Sequence, residues 1–266
     1  MEPLLGDGPF GPDAGGLPRA GWQSEILPVL RSLAADEVAV HGLEVAGSAA
    51  GDGRLLDVWS DLDVLVTTNR DPGPVADRLA LAVTAALGPL YASSRSAAGR
   101  ETGVRLVLVD LRRIDLTVRS TATIESLAAP SSPSGLAQIA EEFRFDAVLA
   151  AFKTARQDLL IGAHLALQLP RHLLVAAMIL RDQETGTRHH RHGSTQWNTW
   201  LKHLAAVTPP TSTLPITASI RHHAHVLQDL LAVHAPDLAT DDEPLHRLLA
   251  AVDRSAETHS AYQAGA

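Results

Sequence analysis

The sequence changes character at residues 128–135, AAPSSPSG, and this change limits the fold more than any other feature. Before this stretch, short runs with alternating β-branched residues stand between helical patterns. Beyond it the alternation disappears and only helical spacing is left. A stretch rich in Pro, Ser and Gly is typical of a linker. The sequence therefore predicts an α+β protein, with a mixed-sheet domain over residues 21–128 and a helical bundle domain over residues 136–260.

The first part is predicted to contain two helices and four strands. Helical spacing covers residues 21–35 and 74–88. Apolar runs bounded by turn residues predict strands at residues 38–47, 60–68, 104–110 and 113–119. The last two runs are so close in sequence that they predict a hairpin. This order of elements indicates a small domain built on a mixed sheet.

The second part is predicted to be helical throughout. Apolar residues recur at helical spacing in five segments, at residues 146–168, 170–184, 195–205, 216–233 and 243–257. Residues 170–182, PRHLLVAAMILRD, are apolar nearly all round, which is typical of the central helix of a bundle. Pro170 suits the first turn of this helix, and Gly186 suits the position just past its end.

Composition and charge argue against several classes of protein. The chain has no cysteine, so disulfides and thiolate metal sites are excluded and a cytoplasmic location is the default expectation. A formal net charge of −8 argues against a general nucleic-acid binder, whose affinity depends on Lys and Arg. No long apolar run lacks a charge, so no membrane span is expected. Residues 1–20, acidic and rich in Gly and Pro, predict a disordered tail.

Two aspartates one residue apart give the strongest chemical signal. Asp61 and Asp63 belong to the second predicted strand, where residues two apart face the same way and lie about 7 Å from each other. Two carboxylates this close repel each other unless a cation lies between them. The pair therefore predicts a Mg²⁺ site, because Mg²⁺ prefers carboxylate oxygens and shares its coordination shell with substrate phosphates.

Three further residues extend this pattern. Asp115, within RIDLTV, adds a third carboxylate on another predicted strand, from which it can face the same site. Gly47 and Ser48 follow the first strand, where glycine lets the backbone approach a phosphate and serine can donate to it. A solvated strand face with alternating acids would also explain Asp-x-Asp alone. That alternative explains neither the Gly-Ser pair nor the third aspartate, so a catalytic site is the favoured interpretation.

These motifs resemble a known superfamily. Gly47-Ser48, twelve intervening residues and then Asp61-Leu62-Asp63 resembles the signature of the polymerase-β-type nucleotidyltransferases. RIDLTV resembles the strand that carries the third aspartate of aminoglycoside 6-adenylyltransferases. Residues 141–167 and 178–193 resemble the helical half of those enzymes and of the lincosamide nucleotidyltransferases. The resemblance covers most of residues 40–193 and fades in the last seventy or so.

The resemblance implies a division of roles. Asp61 and Asp63 would hold Mg²⁺ against a nucleoside triphosphate, with ATP favoured, and Gly47 and Ser48 would bind its phosphates. Asp115 would be the general base that takes the proton of an acceptor hydroxyl. The acceptor would be a small hydroxylated molecule, with aminoglycoside or lincosamide antibiotics as leading candidates. The alternatives are transfer to a protein or natural-product intermediate, and a non-catalytic nucleotide-binding module of antitoxin type.

Two groups in the helical part are weaker candidates. Lys153 would share one helix face with Arg156 or Gln157 and with His164, and the cations of this stripe, Lys153 and Arg156, are candidates for nucleotide binding. The alternative interpretation is an ordinary solvated helix face.

A second group follows the predicted central helix. Asp182, Glu184 and His192 are candidates for acceptor binding, because an acidic pocket favours a cationic amino-sugar. The alternative is a helix end, where Arg and His are favoured by the helix dipole. A histidine metal site at residues 189–192 is disfavoured by its spacing. The histidines in residues 221–225 are expected on a solvated helix face.

Overall fold

The computed structural model describes residues 16–50, 56–122, 135–186, 196–204 and 212–264, except the side chains of Ser48, Gln196 and residues 259–264. The chain divides into two compact units, residues 1–132 and 133–266. Every described strand belongs to the first unit, and the described part of the second unit is helical. The predicted α+β class, a mixed sheet followed by helices, is therefore confirmed.

The first unit is built on a five-stranded mixed sheet with the strand order β1-β2-β5-β4-β3. Strands β2 and β5 are parallel, and every other neighbouring pair is antiparallel. In chain order its elements are α1 (Trp22–Asp36), β1 (Val40–Val45), a 3₁₀ turn (Gly47–Ala50), β2 (Leu62–Thr68), α2 (Pro72–Leu87), β3 (Leu90–Ala98), β4 (Glu101–Leu108) and β5 (Arg113–Ser120).

The alternating pattern of β2 decides which face of the sheet is buried. Leu62, Val64 and Val66 are buried in one apolar cluster with residues of α1 and α2, while the residues between them point to the other face. The cluster also takes alternate residues of β4 and β5, namely Val104, Leu106, Ile114, Leu116 and Val118. The opposite face of the sheet is therefore the one that carries the polar residues of these strands.

Strand β3 was not predicted. Its sequence, LYASSRSAA, is rich in Ser and Ala and has no alternation of apolar and polar residues. It pairs antiparallel with β4 along its whole length and ends the sheet, and only Tyr91 and Ala92 in it are buried. An edge strand with one paired side needs little apolar surface of its own, so pairing with β4 decides its conformation.

The second unit consists of helices around its own core. In chain order it contains α3 (Leu136–Ala155), α4 (Leu159–Thr185), α5 (Gln196–Trp200), a 3₁₀ turn (Leu201–Leu204), α6 (Thr213–His234), a second 3₁₀ turn (Pro236–Leu238) and α7 (Glu243–Ala264). Helix α3 packs against α4, α6 and α7. The largest fully buried side chains here come from three of these helices and are Phe143, Phe152, Leu169, Leu173, Ile216 and Ile220.

The predicted break before Pro170 is wrong. Helix α4 runs without interruption from Leu159 to Thr185, so Pro170 lies inside it. The chain turns earlier, at residues 156–158, which the apolar pattern had assigned to the interior of a helix. The predicted helix end is confirmed, because Gly186 caps α4 with a left-handed backbone of φ 65°.

Hydrogen bonds at the end of α3 explain the turn. The Gln157 N–H donates to the Thr154 carbonyl at 3.0 Å, and the Asp158 N–H donates to the Lys153 carbonyl at 2.9 Å. This pattern is a Schellman motif, which requires a left-handed residue just past the helix end. Gln157 takes that position at φ 61°, where glycine is the usual residue. The sequence therefore carries no glycine signal for the break.

Helix α4 also has an unusual length and apolarity. Among the described residues, it is the one helix long and apolar enough to cross a membrane, by length and composition only. Part of it is buried inside the protein, where Leu169 and Leu173 are fully covered. Many core helices have the same length and composition, so the expected absence of a membrane span stays a prediction.

Candidate active site

Three carboxylates, two from the neighbouring strands β2 and β5 and one from the residue before β2, lie together on the polar face of the sheet. Asp61, Asp63 and Asp115 each offer one oxygen, and these oxygens all lie within 4.8 Å of one another. Asp63 and Asp115 are direct partners in the parallel β2–β5 pair. Asp61 stands immediately before β2. The three aspartates singled out in the sequence are therefore brought into one cluster.

Gly47 leaves the space that Asp63 occupies. Its backbone is left-handed, with φ 60°, and a Cβ atom at this position would overlap the Asp63 carboxylate. The neighbouring Ala46 N–H donates to the Asp63 backbone carbonyl at 2.9 Å. Gly47 opens the 3₁₀ turn that also contains the Ser48 backbone, while the Ser48 side chain lies outside the described residues. This turn is thus fixed directly beside the carboxylates.

A short hydrogen-bonded loop positions Asp61. The Asp57 carboxylate accepts from the Trp59 N–H at 3.0 Å and from the Ser60 hydroxyl at 2.8 Å. The buried Gln23 side chain, on α1, donates to the Ser60 carbonyl at 3.2 Å. Residues 57–60 are therefore hydrogen-bonded to one another and to α1 directly before Asp61. This loop restrains the backbone of Asp61 and so the direction of its side chain.

Two arginines on the same sheet face accompany the aspartates. Arg113 Nη2 donates to the Trp59 carbonyl at 2.8 Å and lies 3.4 Å from Asp61 Oδ2, with a side chain only 8% exposed. Arg105 Nε lies 3.3 Å from Asp115 Oδ2. Sequence reasoning missed both residues. The available signals were positional: Arg113 precedes Asp115 by two residues in a strand, and Arg105 is its partner across the hairpin.

The pKa of Asp115 reflects this crowding. Burial raises it to about 6, and repulsion from Asp61 and Asp63 acts in the same direction, against the opposing effect of Arg105 and Arg113. A carboxylate in this position resists ionisation while its neighbours are charged. A cation bound among the three carboxylates would favour their charged forms. Carboxylate oxygens are also the ligands that Mg²⁺ prefers. The donor set therefore fits a hard divalent cation.

The candidates for nucleotide binding in the helical unit do not form the predicted stripe. Lys153 lies in the last turn of α3, Arg156 is the exposed residue that follows that helix, and His164 belongs to α4. The prediction that these residues share one helix face is wrong, because the turn at residues 156–158 separates them.

The candidates for acceptor binding each have a partner of their own. Asp182 Oδ1 accepts from Arg181 Nη2 at 2.8 Å. Glu184 Oε2 accepts from the Trp197 indole N–H at 2.8 Å. His192 lies outside the described residues, as do the other histidines of residues 189–192. Asp182 and Glu184 therefore differ from the aspartates of the sheet, which face one another.

The expected solvated face for the histidines of residues 221–225 is wrong for His223. Its side chain is 2% exposed, and its Nε2 atom has no hydrogen-bond partner among the described residues. Burial lowers the pKa of His223 to about 4, and the neighbouring His222 acts in the same direction. His223 is therefore a neutral core residue, while His225 is exposed as expected.

Comparisons with known proteins give the following result. No protein-family model matches the chain, and no curated protein matches it. Among solved structures, it is similar to an aminoglycoside 6-adenyltransferase from Bacillus subtilis, at 11% identity and a TM-score of 0.30, over 86% of this chain and 98% of that one. The polymerase core of TRAMP, an RNA surveillance complex, gives 17% identity and a TM-score of 0.30, over 86% of both chains. A STING-associated CdnE c-di-GMP synthase from Capnocytophaga granulosa gives 11% identity and a TM-score of 0.26, over 90% of this chain and 81% of that one.

The first of these structures bears the name of the enzymes that the sequence resembles. TM-scores of 0.30 and below are too low to carry a functional argument. The arrangement of Asp61, Asp63 and Asp115 on the sheet of this α+β fold is therefore the observation that bears on function.

Proposed function

We propose that this protein transfers a nucleoside monophosphate from a nucleoside triphosphate to a hydroxyl group of a small acceptor. The observation that carries the proposal is the cluster of three carboxylates, whose oxygens lie within 4.8 Å of one another beside a turn that begins at Gly47. Like charges at this distance destabilise the protein unless a cation offsets them. Such a cluster is therefore explained by metal-dependent chemistry on a phosphate better than by a structural role.

Asp61 and Asp63 are the proposed metal ligands. They are two residues apart in the chain, and Arg113 Nη2 lies 3.4 Å from Asp61 Oδ2. Mg²⁺ is the favoured ion because it takes carboxylate oxygens together with substrate phosphates. When bound, it would neutralise charge on the triphosphate and help to align it. The backbone N–H groups of the turn at Gly47 and Ser48 are the proposed phosphate donors.

Asp115 is the proposed general base. The acceptor oxygen attacks the α-phosphorus, the bond from that phosphorus to the leaving oxygen breaks, and pyrophosphate departs. The acceptor proton passes to the Asp115 carboxylate. Its contact with Arg105, at 3.3 Å, restrains the side chain, and a bound cation would keep the carboxylate ionised, so that it acts mainly by orienting the hydroxyl.

The nucleotide and the acceptor are proposed from the sequence resemblance. ATP is the favoured donor, and an aminoglycoside or lincosamide is the favoured acceptor. Lys153 and Arg156 stay candidates for contacts with the nucleotide. Asp182 and Glu184 stay candidates for contacts with a cationic acceptor, which would have to compete with Arg181 and with the Trp197 indole N–H.

A substrate screen tests the proposal. The protein is incubated with Mg²⁺ and each of the four α-labelled ribonucleoside triphosphates, against a panel of aminoglycosides and lincosamides, and products are identified by mass. An acceptor heavier by one nucleoside monophosphate is expected with wild type. Asp63→Asn should give none, whereas Asp77→Asn, the same charge change on the exposed surface of α2, should retain the activity. Metal-dependent nucleotide binding without transfer would indicate a binding module instead.

Salt dependence separates the two acceptor classes. An aminoglycoside is polycationic, so its affinity for an acidic site should fall as salt screens the charges. A lincosamide carries little charge, so its affinity should change little. Calorimetric titration at low and high salt measures this difference. Binding of neither class would direct the search to protein or natural-product acceptors.

A further inference from the structure

A shallow cavity of about 480 Å³ lies within the helical unit and is not explained by nucleotidyl transfer. Its volume is in the range of small-molecule sites. The described residues that line it are mostly aromatic or cationic: Trp197, Thr199, Trp200, Lys202, His203 and His234. We call it the aromatic pocket. Two of the four tryptophans of the chain are in it.

Local backbone geometry places three of these rings in a row. Trp197, Trp200 and His203 stand three residues apart, in α5 and the 3₁₀ turn that continues it. Side chains three residues apart are neighbours on an α-helix and lie on the same side of a 3₁₀ helix. The ring centres of Trp197 and Trp200 are 6.2 Å apart, and those of Trp200 and His203 are 6.3 Å apart.

This row of rings is fastened to the neighbouring helices. The Trp197 indole N–H donates to Glu184 on α4, and the His234 ring on α6 lies with its centre 5.0 Å from that of Trp197. The His222 Nε2–H, also on α6, donates to the backbone carbonyl of His203 at 2.9 Å. The wall of the aromatic pocket is therefore organised before any ligand binds, which lowers the entropy cost of binding.

The rings are only partly used for internal packing. Trp197 is 9% exposed, whereas Trp200 is half-buried and presents part of its ring to the cavity. Aromatic rings that serve packing alone are normally covered on both faces, because their large apolar surface stabilises the protein only when buried. Trp197 is thus held in place, and the partly exposed ring of Trp200 beside it offers a surface on which a flat molecule can stack.

The charges at the aromatic pocket favour an anion. Lys202 has no carboxylate partner among the residues that the structure describes. His203 and His234 add imidazole nitrogens, and Thr199 adds a hydroxyl. Glu184, the nearby carboxylate, is not part of the lining; it already accepts from Trp197 and lies 3.6 Å from His234 Nδ1. A polycation would therefore meet Lys202 rather than a free acid.

We propose that the aromatic pocket binds a small molecule that combines a flat ring with an anionic group. The ring stacks on Trp200, and the anionic group lies at Lys202. This site belongs to the helical unit alone and does not depend on the proposed nucleotidyl transfer, so the two proposals can fail separately.

Fluorine NMR of the full chain, labelled with 5-fluorotryptophan, tests the site directly. The four tryptophan signals are assigned by single Trp→Phe replacements. AMP and naphthalene-2-sulfonate serve as flat anions, adenosine as a flat neutral molecule and kanamycin as a polycation, all in EDTA. Trp22 and Trp59 are internal controls in the first unit, and Trp59 also reports on the catalytic cluster because its carbonyl accepts from Arg113.

Both flat anions should shift the Trp197 and Trp200 signals saturably, while Trp22 and Trp59 stay unchanged. Trp200→Leu should weaken this binding roughly tenfold, the usual effect of one lost stacking contact. Lys202→Gln should weaken the binding of AMP about fivefold and leave adenosine unaffected. Two exposed residues that do not line the pocket give controls: Leu201→Ala, next to Trp200 in sequence, and Arg171→Gln, the same charge change on α4, should change neither affinity.

The proposal is overturned if neither anion moves the Trp197 and Trp200 signals below about 10 mM, a limit far above ordinary ligand affinities. It is also overturned if adenosine or kanamycin shifts the Trp200 signal at concentrations as low as AMP does. A shift of Trp59 alone, seen with AMP only after Mg²⁺ replaces EDTA, would support the catalytic site and contradict the aromatic pocket.

Discussion

The two units contain acidic pairs with the same spacing and opposite behaviour. Asp61 and Asp63 are two residues apart, at the start of strand β2. In a strand, that spacing brings side chains to the same face. Asp182 and Glu184 are also two residues apart, but on helix α4, where that spacing turns side chains away from each other. The same sequence pattern therefore concentrates charge in one unit and disperses it in the other.

The difference shows in the partners of these carboxylates. In the sheet, the pair faces Asp115, and the repulsion that results is only partly offset by Arg113 and Arg105. In the helix, each acid is matched by a donor of its own. Acids whose oxygens lie within 4.8 Å of one another favour a bound cation even beside two arginines, whereas acids that point apart do not. The backbone beneath an acidic motif, more than the motif itself, distinguishes a metal site from a surface.

The largest effect is expected where this comparison is tested directly. Asp63→Asn should abolish transfer and weaken Mg²⁺ binding by more than about a hundredfold, since second-shell residues alone are worth roughly tenfold to a hundredfold. Asp182→Asn should leave Mg²⁺ affinity unchanged. Titration calorimetry with Mg²⁺ measures both affinities. Without metal, Asp63→Asn should also melt slightly higher, because repulsion is relieved. Equal Mg²⁺ affinity in the two variants would show that the acids of the sheet and those of the helix do not differ in metal binding.

The next effect concerns the third aspartate. Asp115→Asn should lower turnover by about two to four orders of magnitude, the usual contribution of a general base, with nucleotide affinity nearly intact. The reason is that Asp61 and Asp63 suffice to anchor an ion that keeps water and phosphate oxygens. Steady-state kinetics and nucleotide titration measure the two quantities. Loss of affinity in step with turnover would make Asp115 a metal ligand instead.

A glycine pair isolates the role of the turn beside Asp63. Gly47→Ala should lower turnover at least roughly tenfold, because misplacing a reacting group by about an ångström has at least this effect. Gly99→Ala is the matched control, because Gly99 has nearly the same φ, 58°, but open space around it. Both variants should lose about 1–2 kcal/mol of unfolding free energy from left-handed strain. Equal turnover in both would show that the Asp63 contact is irrelevant to catalysis.

Acid should destabilise the helical unit through His223. Its folded pKa of about 4 lies below the ordinary value, so the unfolded chain binds the proton first as pH falls. The stability that His223 contributes is complete above its unfolded pKa. It falls by up to about 1.4 kcal/mol per pH unit as the pH drops toward 4. Urea unfolding should show that the unfolding free energy of wild type minus that of His223→Leu is smaller at pH 5 than at pH 7.

The exposed His225 provides the control for that measurement. His225→Gln removes a histidine of the same helix whose side chain is 75% exposed, so it controls for the loss of a histidine as such. A gap between wild type and His223→Leu that does not change with pH would mean that His223 titrates normally.

The smallest effect concerns the turn between α3 and α4. Gln157→Gly should raise the unfolding free energy by about 0.5 kcal/mol. Glycine adopts the left-handed conformation without strain, and this gain is partly offset because glycine gives the unfolded chain more conformational entropy. Thermal or urea unfolding measures the change. Gln138→Gly, in the first turn of α3, should instead destabilise, by up to about 1 kcal/mol. Destabilisation by Gln157→Gly would contradict the Schellman geometry.

The sheet unit was predictable where side chains alternate. Leu62, Val64 and Val66 predict both the strand and its buried face, and this alone places Asp63 on the opposite face. Asp115 joins it only through the parallel register of β2 and β5, which the sequence does not encode locally. Arg113 could not be recognised as a partner of Asp61 without that register.

The helical unit was less predictable for a physical reason. Apolar spacing continues across residues 156–158, so nothing in the pattern marks the turn that Gln157 makes with its left-handed backbone. Pro170 suggested a helix start but is accommodated inside α4. Strand β3 was missed because its conformation depends on pairing with β4 rather than on its own residues.

The parallel pairing of β2 and β5 has a kinetic consequence. The two strands are separated in the chain by α2, β3 and β4, so they can pair only after a long-range contact has closed. Until then Asp63 and Asp115 are far apart, so Asp61 and Asp63 are not yet held in the geometry of the folded cluster, and the partly folded chain binds a divalent ion only weakly. An ion that binds only the folded state slows unfolding and leaves the folding rate nearly unchanged. Magnesium would therefore extend the lifetime of the native protein rather than help it to form.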